Sequence, residues 1–324
     1  MGDEVPKALG DLLAKLPAVK AAAARTKPPT LIQRRLIESS AAIADADTDP
    51  DLCFQHTVFC QTGLPYRDPG DAVRLWERTQ GQASLLIQAG LAAHPETRQW
   101  VQLGLPFGPK PRLILAYLNT QAIRTGSPVI EVEETLTSFV KRLGFASKGR
   151  NMHLIKEQLA RLSAADVRLG LFRTGEAVTV KANIVSAFNL WFPKDERQRV
   201  LWPNSIQLDQ VYFDSLVRHA VPLDERALAA LSHSAMALDI YSWLAQRLHR
   251  VNPAKPAFVP WAALKDQFGQ GYSRMNNFKR VFRQALRQVL TQYRAARLDL
   301  DDRGAMLSHS PPPIKGRMAV ISKA

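Results

Sequence analysis

Between residues 269 and 298 the chain reads GQGYSRMNNFKRVFRQALRQVLTQYRAARL, with seven Lys or Arg and no Asp or Glu. A helical turn of about 100° per residue gathers Met275, Phe278, Phe282, Ala285, Leu286, Val289 and Tyr293 on one side. Asn276, Arg280, Arg283, Arg287 and Arg294 then fall on the other. Guanidinium and carboxamide groups along one helix face are donors for phosphate oxygens and base edges. Solvated faces ordinarily mix signs, which favours solubility and i,i+4 pairing. A face of one sign asks for an anionic partner; an ordinary amphipathic helix with a solvated charged face is the competing reading.

Other chemistries find less support. Cys53 and Cys60 flank His56, three possible ligands at a spacing that fits no common zinc knuckle, and two reduced, partly buried cysteines are the simpler expectation. The seven histidines are scattered, with no HxH pair, no GxxxxGK[ST] loop and no GxSxG elbow. We therefore expect no enzymatic activity, no metal site and no cofactor. No run reaches the roughly eighteen apolar residues of a membrane span, and Asp11 with nearby lysines spoils a signal-peptide core. A cytoplasmic protein without membrane association is expected.

The net charge of +14 is uneven along the 324 residues. Residues 1–50 carry seven basic and seven acidic side chains and 51–100 carry four and five, whereas 101–200 carry fifteen and eight and 201–324 seventeen and nine. The excess lies wholly after residue 100, a localised charge that suits nucleic acid or an anionic membrane surface.

The elements that must hold these groups are written twice. FVKRLGFASKGRNMHLIKEQLARL (139–162) lines up with LKDQFGQGYSRMNNFKRVFRQAL (264–286), each a short apolar helix, a glycine, a turn and a second helix with a basic outer face. Gly144 and Gly269 are expected just past a helix end, in the left-handed region. Upstream, RLILAYLNTQAIRTGSP (112–128) matches MALDIYSWLAQRLHRVNP (236–253), each a helix closed by proline. Downstream, hairpins are expected in 167–184, around Arg173 to Glu176, and in 297–307, around Asp302 to Gly304. Three helices and a hairpin make a winged helix, whose third helix enters the major groove.

The fold class expected is α+β, two tandem winged-helix domains with a flexible N-terminal arm. The boundaries are 1–50 for the arm, with one helix near 30–44, 51–200 for the first winged domain, 201–232 for a bridging segment, 233–310 for the second and 311–324 for a basic tail. Residues 51–111 are expected as β structure with tight turns. Trp191, Trp202, Trp243 and Trp261 are expected in the core rather than stacked on single strands.

VFCQTGLPYR (58–67), followed by LGLPFGPKPRLILAYLNTQAIRTGSPVIEVEETLTSFVKRLG (103–144), resembles plasmid replication initiators of the RepA type, over about residues 50 to 310. The resemblance implies binding to tandem direct repeats of double-stranded DNA at a plasmid origin and opening of adjacent AT-rich DNA. It also implies recruitment of host replication proteins such as a helicase or initiator, and self-association, with dimers repressing the promoter and exchanging with monomers. Carried onto the second unit, Gly271 to Arg287 becomes the recognition element, with Tyr272 and Arg274 at its start and Ser273 its N-cap. Asn276, Asn277 and Arg280 would reach base edges, and Lys279, Arg283 and Arg287 phosphates. In the first unit Lys148, Arg150, Asn151, His153, Lys156 and Arg161 take the equivalent helix and Arg173 the hairpin, chiefly as backbone contacts because Glu157 dilutes the field. The rivals are a winged-helix transcriptional regulator without a replication role and a nicking enzyme, which would need a tyrosine beside a metal-binding histidine pair.

Overall fold

Strand β1 (Leu52–His56) pairs antiparallel with β11 (Ala220–Asp224), from Leu52 opposite Asp224 to His56 opposite Ala220, and so ties the start of the first unit to the segment before the second. The computed structural model describes residues 28–45, 51–93, 97–131, 136–173, 176–187 and 205–314. In chain order its elements begin with helix α1 (Leu31–Ala44), β1, α2 (Thr57–Gln61), β2 (Leu75–Gln80), β3 (Ala83–Gln88), β4 (Leu91–Ala93) and β5 (Trp100–Gln102). They continue with α3 (Pro109–Thr125), β6 (Val129–Glu131), α4 (Leu136–Arg142), α5 (Gly149–Ala164), β7 (Asp166–Arg173), β8 (Glu176–Asn183) and β9 (Val185–Ala187). The remainder are β10 (Ser205–Leu208), α6 (Gln210–His219), β11, α7 (Glu225–Leu231), α8 (Ala235–Arg247), β12 (Ala257–Pro260), α9 (Trp261–Phe268), α10 (Met275–Gln292), β13 (Arg297–Leu300) and β14 (Gly304–Ser308). The class is α+β.

Two helices form the centre. In α8 every residue from Ala235 to Gln246 is buried, and in α3 every residue from Pro111 to Thr120. The apolar spacing of both reads as one-sided, yet packing closes around them. Helix α3 starts at Pro109, where a missing N–H costs nothing, and stops at Gly126 (φ 66) rather than at Pro128. Helix α8 likewise ends before Pro253, passing into one 3-10 turn over Leu248–Arg250.

Around α3 the order is helix, strand β6, helix α4, turn, helix α5, then the hairpin β7–β8, and around α8 it is helix, strand β12, helix α9, turn, helix α10, then the hairpin β13–β14. Both expected hairpins form, with Arg173 opposite Glu176 in one and Leu300 opposite Ala305 in the other. The sheets differ. In the second unit β12 pairs directly with the hairpin, in the order β12-β14-β13. In the first, β7–β8 extends the β2–β3 hairpin into a four-stranded sheet, and β10 comes in between β6 and β9. Alternate residues Ala83, Leu85 and Ile87 of β3 are fully buried, which sets the inner face of that larger sheet.

Three expectations need correction. Gly144 has the left-handed backbone (φ 79), but Gly269 lies at φ −96, and the left-handed residue of the second turn is Gly271 (φ 76). Gly269 is required for space: a Cβ there would stand 2.5 Å from the Lys265 carbonyl oxygen. Residues 57–61 within the expected β region are helical, because His56 Nδ1 accepts from the Val58 amide and caps the turn. The helix near 30–44 forms over Leu31–Ala44 with a Thr30–Gln33 capping box. It is docked, with Leu36 buried, Arg35 on Ser232 and Gln292 donating to the Leu36 carbonyl. The turn residues 174–175 and tryptophans 191 and 202 lie outside the described residues, and of the tail the structure describes 311–314 alone.

Candidate nucleic-acid interface

The apolar side of α10 is aromatic. Phe278, Phe282, Leu286, Val289 and Tyr293 are almost fully buried, with Phe278 and Phe282 edge-on to Trp261 at ring distances of 6.2 and 5.7 Å. That anchoring leaves Asn276, Asn277, Arg280, Gln284, Arg287 and Thr291 exposed along the length of the helix. No carboxylate lies among them. Arg274 is exposed at the N-cap position, without a side-chain cap, so the first-turn amides keep no side-chain acceptor. Ser273 is therefore not the cap; its carbonyl accepts from Lys265 Nζ at 3.1 Å. Tyr272 is half-buried against Phe278.

Lys279 and Arg283 stand apart from this open face. Lys279 Nζ lies 5.0 Å and the Arg283 guanidinium 5.1 Å from the centre of the Trp261 ring. Lys279 also donates to the Asp302 carbonyl, while Trp261 donates through its ring N–H to the Asp301 carbonyl and through its amide to the Arg303 carbonyl. These bonds lock the hairpin turn to the helix. Asp301 accepts from the Gly304 and Arg303 amides, which hold its carboxyl below the usual range. The turn thus presents Arg303, whose side chain is 81% exposed, beside α10. Arg303 was not among the residues singled out from sequence; its place in a hairpin turn after a basic helix was the available signal.

Helix α5 is different. Lys148, Arg150 and His153 are exposed at its start, and Asn151 turns its amide onto the Ala146 carbonyl. Lys156 is half-buried, which lowers its pKa by desolvation. Arg161 is held inside, 12% exposed, paired with Glu157 at 2.7 Å and Asp68 at 3.4 Å, donating to the Leu105 carbonyl and lying over the Phe107 ring. The structure therefore does not bring Arg161 to the open face. Burial, with a smaller contribution from the charge of Arg150, lowers the pKa of Lys110 at the start of α3. The backbone of Arg173 ends β7 at the hairpin.

The two helices belong to one joined body. Arg112 of α3 and Asp239 of α8 form a buried bidentate pair at 2.6 and 2.8 Å, and Arg112 also donates to the carbonyls of Leu64, Pro65 and Gly108. A Cβ at Gly63 would sit 2.6 Å from Asp239 Oδ2, so the backbone can approach the pair only as glycine. The strings GLPY (63–66) and GLPFGPKPR (104–112) thus build the junction. Arg78 of β2 adds bonds to the Asp266 and Gln267 carbonyls, and Gln80 bonds Asp266.

Behind the junction, His56 donates through Nε2 to Ser215 Oγ at 3.1 Å; burial and the neighbouring His219 lower its pKa to about 3. Cys53 and Cys60 are buried free thiols, and burial pushes both pKa values up. Trp243 and Trp261 are core residues. No helix among the described residues is long and apolar enough to cross a membrane.

Comparison with known proteins gives three findings. Residues 105–262 match the family described as plasmid encoded RepA protein. No curated protein matches the chain. Two crystal structures of domains 2 and 3 of RctB are similar, one of selenomethionine derivatives with a TM-score of 0.49 at 9% identity, covering 79% of this chain and 99% of that one. The other has a TM-score of 0.47 at 10% identity and covers 77% of this chain and 94% of that one. The family match lies inside the span over which the sequence resembles RepA-type initiators, and that resemblance holds.

Proposed function

We propose that this chain, whose residues 105–262 match the plasmid encoded RepA protein family, is a replication initiator that binds tandem repeats of duplex DNA at a plasmid origin. Each repeat would be read by two winged helices, with α10 as the base reader and α5 as the backbone anchor. The observation that carries this reading is the open face of α10, where amides and arginines are exposed without a carboxylate and the apolar side is locked into the core. The order helix, strand, helix, turn, helix, hairpin, with β12 paired to the hairpin, supports a winged helix in the second unit. Arg303, exposed in the hairpin turn and paired with Asp301 at 3.3 Å, would touch the DNA backbone next to the groove on this reading.

On the same reading the protein helps open the adjacent AT-rich DNA, recruits host replication proteins, and represses its own promoter as a dimer in exchange with the monomer. It acts by binding rather than by catalysis. Three of the tyrosines that a nicking mechanism would draw on are built into the fold: Tyr212 donates to Asn119, Tyr241 accepts from the Asp224 amide and Tyr293 donates to the Pro311 carbonyl.

A footprint of the purified protein on the DNA flanking its own gene tests the proposal. Several protected direct repeats, spaced by one or two helical turns beside an AT-rich tract, support initiation. Protection of one inverted repeat and nothing else would instead mark a transcriptional regulator.

A further inference from the structure

A cavity of about 300 Å³ opens where the first unit, the bridging segment and α8 meet. Arg218 and His219 line it from the end of α6, Arg250 from the turn after α8, and Gln61 and Gln246 from α2 and α8. Among the described residues no carboxylate lines it. Arg218 and Arg250 are exposed, and among the described residues neither has an ion-pair partner. Thr57 Oγ1, also in the wall, accepts from both Gln61 and Gln246 at 3.4 Å, which leaves its hydroxyl proton to donate. None of the lining residues belongs to α10 or its hairpin.

The chemistry of that wall is narrow. Two guanidinium groups and a hydroxyl are donors that match the oxygens of a phosphate, and guanidinium binds phosphate through two parallel bonds. A concave wall of one charge sign also focuses the field on its interior. The volume stands at the small end of ligand pockets, enough for a mononucleotide. We propose that this cavity is a phosphate-binding site, separate from the DNA-reading face, which takes the phosphate of a mononucleotide-sized anion or a phosphate of the DNA backbone. Because its wall is contributed by both units and by the segment between them, an occupant braces the junction and stabilises the native state by mass action.

The test is thermal unfolding of the full chain at constant ionic strength, with inorganic phosphate, AMP, ATP or a short duplex oligonucleotide set against sodium chloride. AMP or ATP should raise Tm with the logarithm of its concentration. Arg218→Gln together with Arg250→Gln should weaken that binding at least about tenfold, as expected for losing charged hydrogen bonds. Arg280→Gln with Arg287→Gln, on α10, should leave it unchanged, which separates this site from the proposed DNA-reading face. Stabilisation by the duplex alone, lost in the Arg218/Arg250 variant, assigns the phosphate to the DNA backbone. Equal binding by parent and Arg218/Arg250 variant, or no stabilisation from any of these anions, overturns the proposal. Both arginines are exposed, so the variant is expected to fold; each single substitution, read by calorimetric titration with AMP, gives the second measurement.

Discussion

Helices α5 and α10 hold the same place in two units of the same helix order, yet their outer faces have been put to different ends. Along α10 the open side runs from Asn276 to Thr291, because Phe278, Phe282, Leu286 and Val289 are buried on the opposite side. Along α5 only Lys148, Arg150 and His153 at the start are open, and the next turns bend into packing through Lys156, Glu157 and Arg161. The cause is the neighbouring sheet. The second hairpin pairs with the short β12, leaving the side of α10 clear, whereas the first is absorbed into a four-stranded sheet, and Asp68 from the loop before β2 with Leu105 and Phe107 from the loop between β5 and α3 reach Arg161. A basic helix keeps its charges open along its length only where its neighbours do not claim them.

The comparison assumes that both helices are held by one junction, and the largest expected effect tests that. Asp239→Ala leaves Arg112 buried without its carboxylate and should cost about 3–5 kcal/mol of stability in denaturant unfolding. DNA binding through α5 and α10 should weaken together. Unchanged stability would show that the two units do not depend on the Arg112–Asp239 pair.

Next in size is the division between reader and anchor. Asn276→Ala or Arg280→Ala should lower discrimination between the natural repeat and scrambled DNA by about 1–3 kcal/mol each, measured as the ratio of dissociation constants at fixed salt. If the ratio holds for these two and falls for Lys148→Ala or Arg150→Ala, the roles of the two helices are reversed.

Acid should act on the junction rather than on the arginine face. His56 is neutral in the folded state, with its pKa lowered from 6.5 to about 3, so the unfolded chain takes up a proton that the folded chain refuses. Its contribution is complete above about pH 6.5 and is lost as pH falls towards 3, reaching about 2 kcal/mol by pH 5. Unfolding free energies at pH 7 and pH 5 should differ by about that much more in the parent than in His56→Gln.

The smallest effects are in the salt dependence. Lys148→Ala and Arg150→Ala should weaken binding to specific and random DNA alike and reduce the log–log salt slope by about one unit each. Arg161→Ala should leave the slope alone and lower Tm, since its donors serve Glu157, Asp68 and the Leu105 carbonyl. A loss of slope in Arg161→Ala without a loss of Tm would move that side chain onto the DNA side of the comparison.

Much of the site was legible before any fold was known. The apolar period from Met275 to Tyr293 and the one-sign face opposite it depend only on 3.6 residues per turn, so α10 and its exposed Asn276, Arg280 and Arg287 follow from local order. The two hairpins were legible for the same reason, as alternation around short turns. Boundaries were less so: Pro128 and Pro253 suggested longer helices, whereas Gly126 and a 3-10 turn end them first. Ser273 looked like a cap because its residue type suits one, but the chain enters the helix one residue later.

What the sequence by itself determined is therefore periodic and local: the elements, their order, the sign of the charge on α10 and the string that resembles RepA-type initiators. Tertiary structure decided which charges remain open. Arg112 and Arg161 are as basic in the sequence as Arg280, yet one is locked onto Asp239 and the other onto Glu157 and Asp68, while Arg280 faces solvent. A buried guanidinium must find a carboxylate and carbonyls to replace water, and those partners come from positions as distant as 112 and 239. No window of sequence contains both, so the difference between an arginine that holds the fold and one that stays open to solvent is settled only when the chain has closed on itself.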